Sequence, residues 1–312
     1  MYKIPILDNS YFDLTKLDFS FLNVKVIKVD SQEFKNYIVN LFCEEDYKFI
    51  DSVLKKSIYD LHAIILTEEF NKSNISLPID IYKFLLITFP SQLNIINEVL
   101  FEFDEEYKNF TISGIRDNIE FAIMENPLII TDLQISHINV FAKKYFKFKK
   151  NTYIEDIIEN YYNSFLVHQR TFQFISLFIC LENSLPQDKE LTYRLKRSWA
   201  IFCGNTHKDK SIILNNLTKI FELRNKLVHG SSLKKDDYKL DSYLNYLRNL
   251  ISIYVIKLFF IDNNEFVKLN YNRSEIDKWV TTIGFNDKLI TNNDNFISFI
   301  MLNFNKKINK EL

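Results

Sequence analysis

The chain has 312 residues, 47% of them hydrophobic, and its 39 lysine and arginine residues almost balance its 40 aspartates and glutamates. This length and apolar content suffice for one large domain or two ordinary ones. The net charge of −1 excludes a protein whose whole surface attracts nucleic acid, because the molecule as a whole presents no basic field.

The cysteine and hydropathy patterns argue against a disulfide-rich, zinc-binding or membrane-spanning protein. Cys43, Cys180 and Cys203 are odd in number and show no CxxC or Cys/His spacing, so neither a disulfide framework nor a structural zinc site is indicated. The chain start lacks a signal-peptide pattern, and the longest apolar run, residues 250–261, is shorter than the roughly 20 residues of a membrane span. We therefore expect a cytoplasmic protein that uses no metal or other cofactor and has no membrane-bound part.

The first half of the chain is expected to be mostly helical with a minor β component. Its apolar residues recur mainly every three or four positions, which is the spacing of one helix face. The segment Val24–Val29 alternates weakly instead and is typical of a short strand, whereas residues 115–132 fit a helix or a strand. Residues 1–31 are otherwise predicted to be largely irregular, and residues 104–114 to be a connection. Helices are predicted over residues 46–70 and, with open ends, starting at Gln32, Pro78, Pro90 and Thr131–Asp132.

A domain boundary is predicted at Phe146–Asn151, a short basic run between two strong helical patterns. The predicted domains are 1–150 and 151–312. Short connections in the second domain favour antiparallel neighbours, and therefore an up-and-down helical bundle within a mainly α protein. Its predicted helices are 153–184 with a break near Asn163, 188–203, 209–229, 235–261 and 274–283, followed by an apolar segment over 296–304.

Basic residues are concentrated in the second domain. Between Leu191 and Phe260 there are 13 lysines and arginines against five acidic residues, a local net charge of +8. Such a field suggests a ligand that carries phosphate, although a run of solvated helix faces would have the same composition.

The segment Phe221–Gly230 carries the most informative residues of the chain. On a helical wheel of about 100° per residue, Arg224 falls within an apolar arc, where an arginine must be paired or must bind a ligand. Asn225 and His229 are four residues apart and share a neighbouring face, and Gly230 supplies the helix stop. The apolar arc consists of Leu217, Ile220, Phe221, Leu227 and Val228.

Two neighbouring helices contribute further ionisable residues. Glu182 lies within the apolar arc of the first helix, and Arg194 and Arg197 lie on one flank of the second. The simplest bundle geometry pairs Glu182 with Arg224 or with Arg194. Loss of one partner of such a buried pair would cost about 3–5 kcal/mol.

These residues resemble a known family. The segment Leu223–Gly230, LRNKLVHG, is similar to the Arg-x4–6-His signature of HEPN domains, with a polar residue directly after the arginine. Leu181-Glu182, and Tyr193-Arg194-Leu195 followed by Arg197, resemble the Apea-like branch of that family. The resemblance covers about residues 153–262 and does not extend to the N-terminal half.

The resemblance implies a metal-independent endoribonuclease that cleaves RNA, such as tRNA, as a homodimer with its two motifs juxtaposed. It also implies a toxin or anti-phage role, with an antitoxin or another defence protein as a partner. Some family members only bind, so the alternative is a non-catalytic RNA-binding or protein-interaction module. The implied residues are Arg224, Asn225 and His229 for catalysis, Glu182 for support or orientation, and Arg194, Arg197 and Lys226 for RNA binding.

The residue types suit this chemistry. Attack by a ribose 2′-hydroxyl needs a proton acceptor, a proton donor to the 5′-oxygen and a cation for the developing charge. His229, with an ordinary pKa near ~6.5, could take either proton role, and a helix C-terminus favours its imidazolium form. The second proton role would then fall to His229 of a two-fold-related copy, while Arg224 holds phosphate and Asn225 orients the imidazole or a phosphate oxygen.

Each residue also has a purely structural interpretation. His229 could do no more than hydrogen-bond the last carbonyls of its helix. Arg224 could form a structural ion pair with Glu182, and Arg194 and Arg197 could simply be solvated. A further hypothesis is a regulated nuclease whose N-terminal half senses a trigger.

Overall fold

The structure is a computed structural model that describes residues 2–8, 13–55, 60–68, 74, 76–90, 94–104, 109–117, 131–148, 152–184, 191–229, 237–260 and 272–284. Over these ranges the chain is mainly helical with a minor β component, which confirms the predicted fold class. Its contacts divide it into two compact units, Met1–Lys143 and Lys144–Leu312, a division a few residues before the predicted junction. No helix in these ranges combines the length and the apolar character of a membrane span.

The first unit is built on a five-stranded antiparallel sheet in the order β2-β3-β1-β4-β5. Among the described residues, two short 3-10 helices (Leu14–Lys16 and Ser20–Leu22) and three α-helices lie between its strands, and a fourth α-helix follows β5. The elements are β1 (Tyr2–Asp8), β2 (Val24–Lys28), α1 (Gln32–Leu41), α2 (Glu44–Leu54), β3 (Leu61–Leu66), α3 (Leu77–Thr88), β4 (Asn94–Asp104), β5 (Asn109–Asp117) and α4 (Asp132–Phe148).

Local sequence signals explain the helices of this unit. The Ser31 hydroxyl accepts a hydrogen bond from the Phe34 N–H and so begins α1, as predicted. Pro78 lies in the first turn of α3, where its missing N–H leaves no helical hydrogen bond unmade. Helices α1 and α2 cover one face of the sheet, and α3 contacts β1 and β3. The cluster beneath α1 and α2 contains Ile4, Ile6, Ile27, Phe34, Ile38, Ile50, Leu54, Leu61, Ala63, Ile65, Val99 and Phe101.

The sheet is larger than the sequence predicted, and four predictions are wrong. Residues 61–66, predicted as helix, form β3, whose six residues are all buried and therefore lack strand alternation. Residues 94–104, predicted as a helix from Pro90, form β4 instead. The chain start, predicted as irregular, is the central strand β1; Pro5 within it argues against a central strand, because proline donates no ladder hydrogen bond. Residues 109–117, predicted largely as a connection, form β5.

Where the structure describes the second unit, its regular elements are helices. The long helix predicted over 153–184 is two helices, which meet at residues 167–169 and not near Asn163. There the Gln173 side-chain amide donates to the Val167 carbonyl at 2.7 Å, which closes the corner. The helices are α5 (Thr152–Leu166), α6 (Arg170–Asn183), α7 (Leu191–Cys203), α8 (His207–Val228), α9 (Asp237–Phe260) and α10 (Arg273–Thr282).

Two antiparallel hairpins position the candidate site. Helices α5 and α6 form one, in which the Cys180 thiol donates to the Ile157 carbonyl at 3.3 Å. Helices α7 and α8 form the other, and Gly204 lies in the tight connection between them. A Cβ there would lie 2.7 Å from Lys210 Cγ and 2.8 Å from the Ala200 carbonyl oxygen, so only glycine fits without a shift. Gly230 and the predicted segment 296–304 lie outside the described residues.

Candidate functional site

The predicted motif lies at the C-terminal end of α8. The helix begins at His207, two residues earlier than predicted, and Thr206 and Asp209 form a capping box at its start. It ends at Val228, and His229 is the C-cap, with its N–H donating to the Asn225 carbonyl at 3.1 Å. Asn225, Lys226 and His229 are exposed, so their side chains are accessible to a ligand.

Arg224 lies at the edge of the buried face of α8. Leu223 is buried in place of the predicted Leu227 and Val228, and the Val228 side chain is 52% exposed. The predicted apolar arc is therefore wrong at Val228, whereas Leu227 is half-buried. The Arg224 side chain, expected to point inward, keeps 33% of its surface exposed.

Glu182 is the ionic partner of Arg224, one of the two pairings that the sequence allowed. Arg224 Nη2 lies 3.7 Å from Glu182 Oε1, beyond hydrogen-bonding distance. The Glu182 side chain is 35% exposed, so the pair is not the buried one that was expected. Pairs with this exposure contribute about 0–1 kcal/mol to stability, because solvent screens the attraction.

An aromatic pair supports the guanidinium. The Phe178 and Phe221 rings meet edge to face with their centroids 4.8 Å apart, and the Arg224 guanidinium carbon lies 5.5 Å from the Phe178 centroid. On the other ring, Lys196 Nζ lies 5.8 Å from the Phe221 centroid. We call these four residues the cation–aromatic cluster; it places a guanidinium and an ammonium on neighbouring aromatic rings. Among the described residues, neither cation has a carboxylate oxygen within hydrogen-bonding distance.

The sequence did not single out Lys196. Its ammonium donates to Thr218 Oγ1 at 3.2 Å, across the α7–α8 hairpin. The antiparallel pairing of α7 and α8 was predictable from their short connection, but the register that brings Lys196 to Phe221 was not.

Arg194 and Arg197 are turned toward α10. Arg194 Nη2 donates to Asp277 Oδ2, and the Asp277 side chain is almost fully buried, so this is a structural ion pair. Arg197 Nη2 donates to the Ile283 carbonyl at 3.3 Å. Arg194 therefore does not pair with Glu182, and both guanidinium groups stabilise the contact between α7 and α10; their predicted contact with RNA stays a prediction.

The local basic field is weaker at the surface than the sequence suggested, because Lys210, Arg248 and Lys257 are buried. Lys257 Nζ donates to the carbonyls of Phe202 at 3.0 Å and Cys203 at 2.9 Å, at the end of α7. Arg248 Nη2 donates to Gln173 Oε1 at 3.2 Å, and its guanidinium lies over the Phe165 ring. These three charged side chains are buried within the bundle and are not accessible to a ligand.

Cysteine chemistry is not part of this surface. Burial raises the pKa of the Cys203 thiol to about 12, and it raises the pKa of Cys180 as well, so both remain protonated thiols. Across the described ranges, no group of three or more His, Cys, Asp or Glu side chains is placed to hold a metal ion.

No protein-family model, curated protein or solved structure shows a significant match to the chain. The chemistry of the surface around Arg224 therefore indicates what the protein can do. This surface presents a guanidinium that is one third exposed, an ammonium on the adjacent helix, and an exposed imidazole and amide at the helix end. Groups of these types can bind a phosphodiester and transfer protons beside it.

Proposed function

We propose that the protein is a HEPN-type endoribonuclease that cleaves RNA, tRNA among its candidate substrates, without a metal. The observation that carries the proposal is that the Arg224 guanidinium is partly exposed and forms no close hydrogen bond with its carboxylate partner. The guanidinium lies on the Phe178 ring and approaches Glu182 only to 3.7 Å, and the side chain keeps a third of its surface exposed. A structural arginine would be expected to form close, bidentate hydrogen bonds with its carboxylate.

The proposed reaction is attack of a ribose 2′-hydroxyl on the adjacent phosphorus. A base takes the 2′-hydroxyl proton, the P–O5′ bond breaks, and an acid protonates the leaving 5′-oxygen. The products are a 2′,3′-cyclic phosphate and a 5′-hydroxyl. Arg224 would stabilise the charge on the phosphoryl oxygens, His229 would take one proton role, and Asn225 would orient the imidazole or a phosphate oxygen.

One chain supplies one histidine to this arrangement, so we propose that the active form is a homodimer. His229 of the partner subunit would take the second proton role, as a two-fold axis through the helix ends allows. A toxin or anti-phage effector with a protein partner is the biological role that we propose on the same basis.

The reaction class is tested with purified protein, total tRNA and excess EDTA, followed by analysis of the RNA ends. We expect cleavage that leaves 2′,3′-cyclic phosphates and 5′-hydroxyls. Products with 3′-hydroxyl ends, or cleavage that EDTA abolishes, would contradict the proposed chemistry.

The second candidate is a non-catalytic module that binds RNA or a partner protein through the same surface. It is favoured by the presence of Glu182, which already neutralises part of the Arg224 charge. This alternative predicts RNA binding without cyclic-phosphate ends, and no growth defect when the protein is overproduced.

A further inference from the structure

The α7 face carries the second cation of the cation–aromatic cluster, Lys196. Lys196 Nζ is held by the Thr218 hydroxyl and the Phe221 ring. Within the part of the chain that the structure describes, no carboxylate forms an ion pair with it. The hydroxyl contact occupies one of its three donors, so two donors remain for a ligand.

Tyr193 extends this face. It precedes Lys196 by three residues, so the two side chains lie on the same side of α7, one turn apart. Because α7 and α8 are antiparallel and Lys196 is opposite Thr218 and Phe221, Tyr193 lies toward the last turns of α8, where Arg224 is placed. The Tyr193 side chain is 62% exposed, an unusual exposure for an aromatic side chain on a packed helix.

We propose that Tyr193 and Lys196 form the strand-holding part of the site, in which Lys196 contacts a backbone phosphate and Tyr193 stacks on an unpaired base. This inference rests on the proposed function, because it assumes that RNA is the ligand of the Arg224 surface. An aromatic face beside two cations is the combination that single-stranded nucleic acid fits, since it offers a base and a phosphate at once. Both residues would be positioning residues.

The test measures binding of short single-stranded RNA by fluorescence anisotropy over a range of salt concentrations. A 2′-O-methylated RNA is used, because it cannot be cleaved by attack of its own 2′-hydroxyl. Lys196→Gln removes the charge and keeps a hydrogen-bond donor, on a side chain that is one bond shorter. We expect it to reduce the slope of log affinity against log salt by about 0.7, the value for one phosphate contact on a single strand.

Lys196→Arg should restore the slope, which separates lost charge from misfolding. Tyr193→Ala should weaken binding by about 5- to 150-fold with little change of slope, whereas Tyr193→Phe should bind as the wild type does. Lys208→Gln is the matched control, since Lys208 is exposed at the opposite end of α8, roughly 24 Å from Arg224 along the helix. Its slope should not change.

The outcomes separate this inference from the proposed function. RNA cleavage by the wild type together with an unchanged slope for Lys196→Gln would overturn the inference alone. A reduced slope without any cleavage would support the inference and overturn the nuclease. Absence of RNA binding by the wild type would overturn the inference. The nuclease proposal would then be decided by the cleavage assay alone, through the presence or absence of 2′,3′-cyclic phosphate ends.

Discussion

Arg224 and Glu182 face each other across α8 and α6 with 3.7 Å between Nη2 and Oε1, and about a third of each side chain is exposed. The carboxylate orients the guanidinium over Phe178 without forming a close hydrogen bond to it. The pair is therefore loose enough for a phosphate to compete with Glu182 for Arg224.

Glu182→Gln tests that competition. Because the pair is half-exposed, the substitution should lower the free energy of unfolding by no more than about 1 kcal/mol. RNA affinity should rise, since the guanidinium loses its neutralising partner. Urea unfolding and anisotropy titration measure the two quantities. A loss of several kcal/mol together with unchanged affinity would mean that Arg224 is a structural residue.

Lys257 is predicted to be essential for the second unit. Its ammonium donates to the Phe202 and Cys203 carbonyls and, at 3.0 Å, to Asn205 Oδ1, so it satisfies the end of α7 from within the core. Lys257→Met fills the same space and leaves these acceptors without their charged donor, which should cost roughly 3 kcal/mol. The control Lys278→Met, on the exposed face of α10, should change the free energy of unfolding by less than about 0.5 kcal/mol. Equal effects of the two substitutions in urea unfolding would contradict the buried role.

His62 should make the stability of the protein depend on pH. It is buried in β3, and burial lowers its pKa below the ordinary value of 6.5, although Asp13 Oδ1 at 3.5 Å opposes the shift. Below pH 6.5 the unfolded chain therefore binds a proton more readily than the folded chain, so the free energy of unfolding falls as the pH falls.

His62→Phe, which cannot be protonated, should flatten this part of the pH profile. The urea midpoints of the two proteins between about pH 5 and pH 7 give the comparison, a range that brackets the ordinary histidine pKa. Parallel profiles for the wild type and the variant would show that His62 does not control this dependence.

The sequence predicted those features that depend on local chemistry. The Ser31 cap and the end of α7 before Gly204 follow from neighbouring residues, and helix periodicity limited the partner of Glu182 to Arg224 or Arg194. Prediction from the sequence failed where a strand is buried on both faces, because such a strand lacks the alternation of apolar and polar residues. Strand β3 is buried on both faces, so its continuous apolar run cannot be distinguished from a buried helix segment.

Contacts that depend on how one helix is aligned against another could not be predicted from the sequence either. Arg194 was a candidate partner of Glu182, but α10, far along the chain, supplies the buried Asp277 that binds it. Lys196 joined the site only because the packing of α7 on α8 brings it to Phe221. Side-chain type indicates which chemistry a residue can perform, whereas the tertiary contacts decide which residues meet.

The most direct test of the account is the cleavage rate of the His229→Ala variant on total tRNA in EDTA, relative to that of His207→Ala. Both histidines are exposed, and they lie at opposite ends of α8. If His229 transfers a proton in the reaction, its loss should reduce the rate by about 100-fold or more, while His207→Ala should cleave at the wild-type rate. Cleavage by His229→Ala at the wild-type rate would contradict the proposed mechanism.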